Sequence, residues 1–193
     1  MKRVERQEIL PLGEYEAVRE PFRRRVIEEK RRRRVALGDQ VSAVFENHDT
    51  VLLQVQEMLR TERITREDAV LYELDTYNAL IPGEGELSMT MFVEIADRDL
   101  RERRLVELAG LEDSVALEID GVPIPARGEF RDGAVAGRTT AVHYMRLSLP
   151  AEAAARLRTC DVHDVALAVS HPAYSVRVPL PRETVAELAS DLA

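Results

Sequence analysis

The chain has a single cysteine, no tryptophan, and phenylalanine and tyrosine at only 5% of its 193 residues. One cysteine, Cys160, cannot form an internal disulfide, and a chain of this length can bury an adequate core without one. No CxxC occurs, which excludes the usual structural zinc and iron–sulfur ligation within this chain. Neither common nucleotide fingerprint, GxGxxG or GxxxxGK[ST], is present. HExxH and GxSxG are absent too. The sparse aromatics argue against a base-stacking platform. No run approaches the ~20 apolar residues of a membrane helix, and MKRVERQEIL has no apolar stretch of secretory length. The expectation is a cytosolic protein.

What is present is an apolar share of 45% and an uneven charge. The net charge is −8, yet residues 1–34 carry 12 Lys/Arg against 7 Asp/Glu. A basic end on an acidic body has three readings: it touches nucleic acid, docks on an acidic partner, or folds against its own body. The acidic remainder repels phosphate and argues against nucleic acid as a partner. The candidate partner-binding residues are Arg23, Arg24, Arg31, Arg32, Arg33 and Arg34. The same run also reads as a solvated helix end favoured by the macrodipole. The organisation expected is a basic helical segment, 1–34, and a single α+β domain, 35–193.

Helical spacing of Tyr15, Val18, Phe22, Val26 and Ile27 predicts a helix over 13–34, kinked or restarted at Pro21. Two apolar runs around Gly38-Asp39 predict a hairpin over 35–45. Asp49 or Thr50 is expected to cap a helix with the stripe Val51, Leu52, Val55, Met58, Leu59. A capping-box pattern at Thr65 predicts a second, with Val70, Leu71, Leu74, Tyr77 and Ile81 inward and Pro82-Gly83 as its stop. Residues 86–96 alternate as a strand, and a charged helix follows to Gly110. VALEIDGVPIPAR predicts a hairpin on Asp120-Gly121 in a type I′ turn. EFRDGAVAGRT reads as a loop and residues 140–149 as a strand. Pro150 opens a short helix, and a buried strand, an edge strand and a closing helix complete the chain. Strand, Leu-Pro, helix occurs twice, at Leu149-Pro150 and Leu180-Pro181, either as a duplicated unit or as one junction used twice. The fold class is α+β, with a mixed, mostly antiparallel sheet and segregated helices.

The chemistry available is carboxylates and four histidines. Glu46, Asn47, His48 and Asp49 form a tetrad before the helix that carries Glu57. Glu, His and Asp are ligand types for first-row divalent metals, so Glu46, His48, Glu57 and a strand-borne His143 form a candidate metal or acid/base set. The competing reading is an Asx-rich turn that caps its own helix, which accounts for Asn47 and Asp49 but not for Glu46 or Glu57. His143 falls on an apolar strand face and also reads as a core histidine. His163 reads as exposed, and His171-Pro172 as a strand exit. Asp161 opposes thiolate formation at Cys160. Glu84, Glu86 and Glu94 read as a solvated face or a second carboxylate set.

Three segments together resemble a bacterial family, domain of unknown function 3501: FEN-x-DT-V at 45–51, Q-x-Q-E-M at 54–58, and YN-x-LIPG-x-x-ELS at 77–88. The resemblance covers nearly the whole chain and marks Asn47, Asp49, Thr50, Gln54 and Gln56 beside Glu46 and Glu57. It implies a small cytosolic protein with genes of rubrerythrin-like and iron–sulfur oxidoreductase proteins nearby, hence an accessory role in redox or oxygen-stress metabolism. It supplies no catalytic residues. The resulting expectation is a non-enzymatic accessory protein with a redox protein partner, against a metal-binding protein or enzyme, or a nucleic-acid-binding regulator through the basic segment. A homodimer is the default assembly.

Overall fold

A computed structural model describes residues 1–128 and 137–192. The basic segment begins as an extended strap with a 3-10 turn at Arg6–Glu8 and continues as one α-helix, α1 (Leu12–Arg33), which runs unbroken through Pro21 rather than restarting there. The expected hairpin forms from β1 (Arg34–Leu37) and β2 (Val41–Phe45). Gly38 takes φ +79° at its turn, where a Cβ would meet the Tyr174 hydroxyl at 2.5 Å.

Helix α2 (His48–Thr61) is capped by Asn47, two residues before Asp49 and three before Thr50, the expected caps. Asn47 Oδ1 accepts from the Thr50 N–H, and Thr50 Oγ1 accepts from the Asn47 N–H. This reciprocal box satisfies two donors, whereas Asp49 lies within the first turn. Helix α3 (Glu67–Asn78) starts later than the Thr65 pattern predicts, and Arg66 at its start makes no side-chain cap. Val70, Leu74, Tyr77 and Ile81 are buried as expected, but Leu71 is exposed.

Strand β3 (Glu86–Val93) is followed by α4 (Arg98–Glu107), capped by Asp97. The Asp-Gly hairpin joins β4 (Val115–Ile119) to β5 (Val122–Pro125). Asp120 and Gly121 have φ +48° and +81°, the two positive angles a type I′ turn requires. A short β6 (Arg127–Gly128) precedes the expected loop, whose residues 129–136 lie outside the described residues. Then come β7 (Val142–Ser148), α5 (Ala151–Arg158), β8 (Val165–His171), β9 (Tyr174–Pro179) and α6 (Arg182–Asp191).

The strands form two sheets, ordered β1-β2-β3-β7-β6 and β5-β4-β8-β9, and every pairing among the described residues is antiparallel. With six α-helices beside them among the described residues, the class is α+β. The main core lies between the sheets. Phe45, Met89, Met91, Met145 and Leu147 from the first meet Val115, Leu117, Leu167 and Val169 from the second. The two strand–Leu-Pro–helix units place β7 inside the first sheet and β9 at the edge of the second. Their helices α5 and α6 pack together.

A second core lies on the outer side of the first sheet, where α2 and α3 cover it with Val51, Val55, Leu59, Val70, Leu74 and Tyr77. Val4 and Ile9 of the N-terminal strap belong to the same cluster. Two buried amides hold the strap as a β-ladder would. Asn78 Oδ1 accepts from the Val4 N–H and its Nδ2 donates to the Val4 carbonyl, both at 2.9 Å. Gln56 repeats this arrangement on Leu10, at 2.6 and 3.3 Å. No helix among the described residues is long and apolar enough to cross a membrane.

Candidate functional site

Because β3 is covered on both sides, the polar half of its alternation is buried as well. The register sets Val44, Thr90 and Tyr144 in one cross-strand row, and Ser42, Phe92 and Val142 in the next. Glu46 continues this face beyond β2, its N–H donating to the Ser88 carbonyl. Ser42, Glu46, Ser88 and Thr90 are all buried. A strand face facing water would normally carry long charged side chains; here Ser42, Ser88 and Thr90 lie among apolar and aromatic neighbours, with Glu46 as the one buried carboxylate beside them. Between that face, α2 and the end of α1 lies a cavity of about 200 Å³, lined chiefly by Lys30, Arg34, Glu46, Gln54, Thr90 and Tyr144. Apolar side chains, Phe92 and Val142 among them, complete its wall.

Glu46 is the cavity's buried charge, with 7% of its surface exposed. Thr50 Oγ1 donates to its Oε2 and Thr90 Oγ1 to its Oε1, each at 2.5 Å. No cation forms an ion pair with Glu46 among the described residues. Burying a carboxylate costs several kcal/mol unless charge-assisted hydrogen bonds or a counter-ion offset it. Two hydroxyl bonds to a charge contribute about 1.5–3 kcal/mol each. A carboxylate has about four acceptor positions, so capacity remains for a donor from the cavity. Burial raises the Tyr144 phenol, with Tyr77 and the Glu46 charge adding to it. Burial also raises Tyr77, opposed by a hydrogen bond with Gln54. Both phenols therefore stay protonated around neutrality.

The four residues expected as one ligand set go to separate places. His48 lies between Asp49, 3.0 Å away, and Glu8, 3.1 Å away, on the side where the N-terminal strap crosses. Burial pushes the Asp49 carboxyl up, but His48 and Arg25 outweigh it and hold it low. Glu57 accepts from both Arg19 Nε and Nη2 at 2.8 Å and from the Tyr15 hydroxyl at 2.7 Å. The Arg19 bond is the main reason its pKa is depressed. His143 is paired with Met91, one residue along from the Tyr144–Thr90 pair, so it lies on the opposite face of the sheet from Glu46. There it contacts Thr139 and the Thr140 carbonyl, and burial lowers its pKa. No group of three or more His, Cys, Asp or Glu among the described residues is placed to hold a metal ion.

The second carboxylate set does not converge either. Glu86 pairs with Arg146, Glu94 with Ser42 and Arg34, and the two lie at opposite ends of β3. His163 is exposed, and His171 faces the Ala109 carbonyl at 3.1 Å. Cys160 is exposed in a turn.

The arginines of α1 mostly serve the protein's own acids. Arg33 is buried, donating to both Asp191 oxygens at 2.6 and 2.8 Å and to Glu187 at 3.1 Å. Arg32 also reaches Glu187, Arg34 reaches Glu94 and Ser42, and Arg31 pairs within its helix to Glu28. Arg23 and Arg24 remain exposed, with no ion pair among the described residues.

Of the signature segment, Gln54 and Glu46 reach the cavity, Asn47 and Thr50 build the cap that steadies Glu46, and Gln56 holds the strap. Lys30, Thr90 and Tyr144 were not singled out by the sequence. The available signal was the run Ser88-x-Thr90-x-Phe92, an uncharged alternate face too short-chained for a solvated strand.

No curated protein matches this chain. A solved structure does: the crystal structure of a novel protein of unknown function from Burkholderia pseudomallei K96243, 32% identical, with 100% of each chain covered and a TM-score of 0.92. Residues 3–192 match the family described as protein of unknown function (DUF3501), which spans both sheets, the strap and the cavity. The chain belongs to that family.

Proposed function

We propose that this is a binding protein for a small polar molecule, held in the cavity between α1, α2 and the outer face of the first sheet. The observation that carries the reading is Glu46, a buried carboxylate bonded to two threonine hydroxyls and lining an open volume, with no cationic partner among the described residues. A purely structural role would be met more cheaply by an apolar side chain of similar size. The cavity falls below the ~300 Å³ at which drug-sized pockets begin, which favours a metabolite of a few heavy atoms. The test is amide NMR mapping of the full chain against the proteinogenic amino acids, short aliphatic amines and short carboxylic acids. Saturable shifts at Gln54, Thr90 and Tyr144 support the reading; shifts confined to other surfaces, or none, overturn it.

A second reading is docking of an acidic partner, the redox protein implied by the family resemblance, on the exposed side of α1. Arg23 and Arg24 favour it, as exposed cations with no ion pair among the described residues. Co-elution with a rubrerythrin from the same cell at low salt, lost in Arg23→Glu/Arg24→Glu, supports it; salt-independent or absent co-elution overturns it.

A further inference from the structure

We infer that the cavity selects a zwitterion, a small aliphatic amino acid, with its ammonium on Glu46 and its carboxylate toward Lys30 and Arg34. The inference rests on the ligand-binding reading above and names the class of molecule. Its basis is the order of charges along the cavity. The Glu46 carboxylate is drawn to the Thr90 row by the 2.5 Å bond to Thr90 Oγ1. The Arg34 guanidinium belongs to the next row: Nη1 donates to Ser42 Oγ at 2.7 Å, and the group lies 5.6 Å from the centroid of the Phe92 ring. Those rows are two residues apart along β3, about 6.6 Å at the rise of a strand. One negative and one positive wall at that separation suit a molecule with its own charges a few ångströms apart.

Lys30 adds a second positive group. It lines the cavity, is half-buried, and forms no ion pair with any described residue. Arg34, by contrast, is already shared with Glu94. An incoming carboxylate therefore supplies the ion-pair partner Lys30 lacks among the described residues, and an incoming ammonium the counter-ion Glu46 lacks among them. A ligand with only one of these charges leaves the other buried or half-buried group unmatched. Val44, Val51, Leu80, Phe92 and Val142 surround the remaining volume and suit an aliphatic stem.

The experiment is isothermal titration of the full chain with three molecules of one carbon skeleton: β-alanine, propylamine and propionate. β-Alanine is expected to bind at least tenfold more tightly than either single-charge analogue. Lys30→Met, a half-buried position outside the core, should weaken β-alanine at least fivefold and leave propylamine unchanged. Glu46→Gln should weaken β-alanine and propylamine together. If propylamine matches β-alanine, or Lys30→Met changes nothing, the zwitterion assignment falls while the ligand site stands. If propionate binds best, the polarity is wrong and the assignment falls. If no molecule binds the correctly folded wild type, here and in the wider NMR survey, the assignment and the site fall together.

Discussion

Arg33 carries the most direct test of how the basic segment is used. As a partner-binding residue it could be replaced with little effect on stability. The structure instead leaves 2% of it exposed, forked onto Asp191 and touching Glu187. Arg33→Met keeps most of the stem volume and removes the fork. Asp191 is then buried without a cation, and breaking such a pair costs about 3–5 kcal/mol. For a chain of this size that lowers Tm by on the order of 10 °C. Calorimetry at pH 7 reads the shift. The double variant Arg33→Met/Asp191→Leu should recover much of it, because removing both charges is far cheaper than removing one. The pH dependence has a fixed sign. Burial already raises the Asp191 pKa, and losing Arg33 raises it further. A carboxyl whose folded pKa is raised removes stability above its unfolded pKa and stops doing so once both states are protonated. The deficit of Arg33→Met should therefore narrow as pH falls through the raised folded pKa toward the ordinary value of about 4, and be smallest below it. A Tm within about 2 °C of wild type at pH 7 would refute the argument and return Arg33 to the surface.

Four further outcomes follow from named contacts. Asn78→Ala leaves the Val4 N–H and carbonyl without partners, at about 1–3 kcal/mol for each buried group, and should speed amide exchange over residues 2–9 before the rest of the chain. Asn47→Ala removes the α2 cap and should cost about 1 kcal/mol in denaturant unfolding, with Asp49→Ala costing less. Glu57→Gln should cost about 1 kcal/mol at pH 7. Because Arg19 holds the folded pKa below the ordinary 4.5, that stability is present at neutral pH and lost as pH falls through the carboxylate range, so the variant and wild type should converge in acid. Gly38→Ala forces a side chain into φ +79° and against the Tyr174 hydroxyl, so thermal unfolding should show a loss above 1 kcal/mol.

Local elements were largely legible because local chemistry decides them. Asp120-Gly121 accepts two positive φ angles, and alternation in residues 86–93 reads as a strand whatever covers it. Asp49 and Asn47 are equally able to cap α2, so the choice between them depended on where the chain leaves β2. The α1 helix persisted through Pro21 because helical residues on both sides continue one packed surface, with Tyr15 and Val26 buried on either side of the proline. Glu57 is not explained by capping; its partners, Arg19 and Tyr15, come from another helix. Composition alone could not tell that ion pair from a metal ligand.

The sequence by itself determined an α+β protein with an amphipathic helical layer, two reliable hairpins and a charge split between its first 34 residues and the rest. Tertiary structure decided which side of each element was buried twice. Covering β3 on both faces turned Ser88 and Thr90 inward, put His143 and Glu46 on opposite sides of one sheet, and closed a cavity around a carboxylate. It also spent most of the basic segment on the protein's own acids. These outcomes depend on contacts between residues distant in sequence, whose pairing is set by packing and charge in three dimensions rather than by any local period.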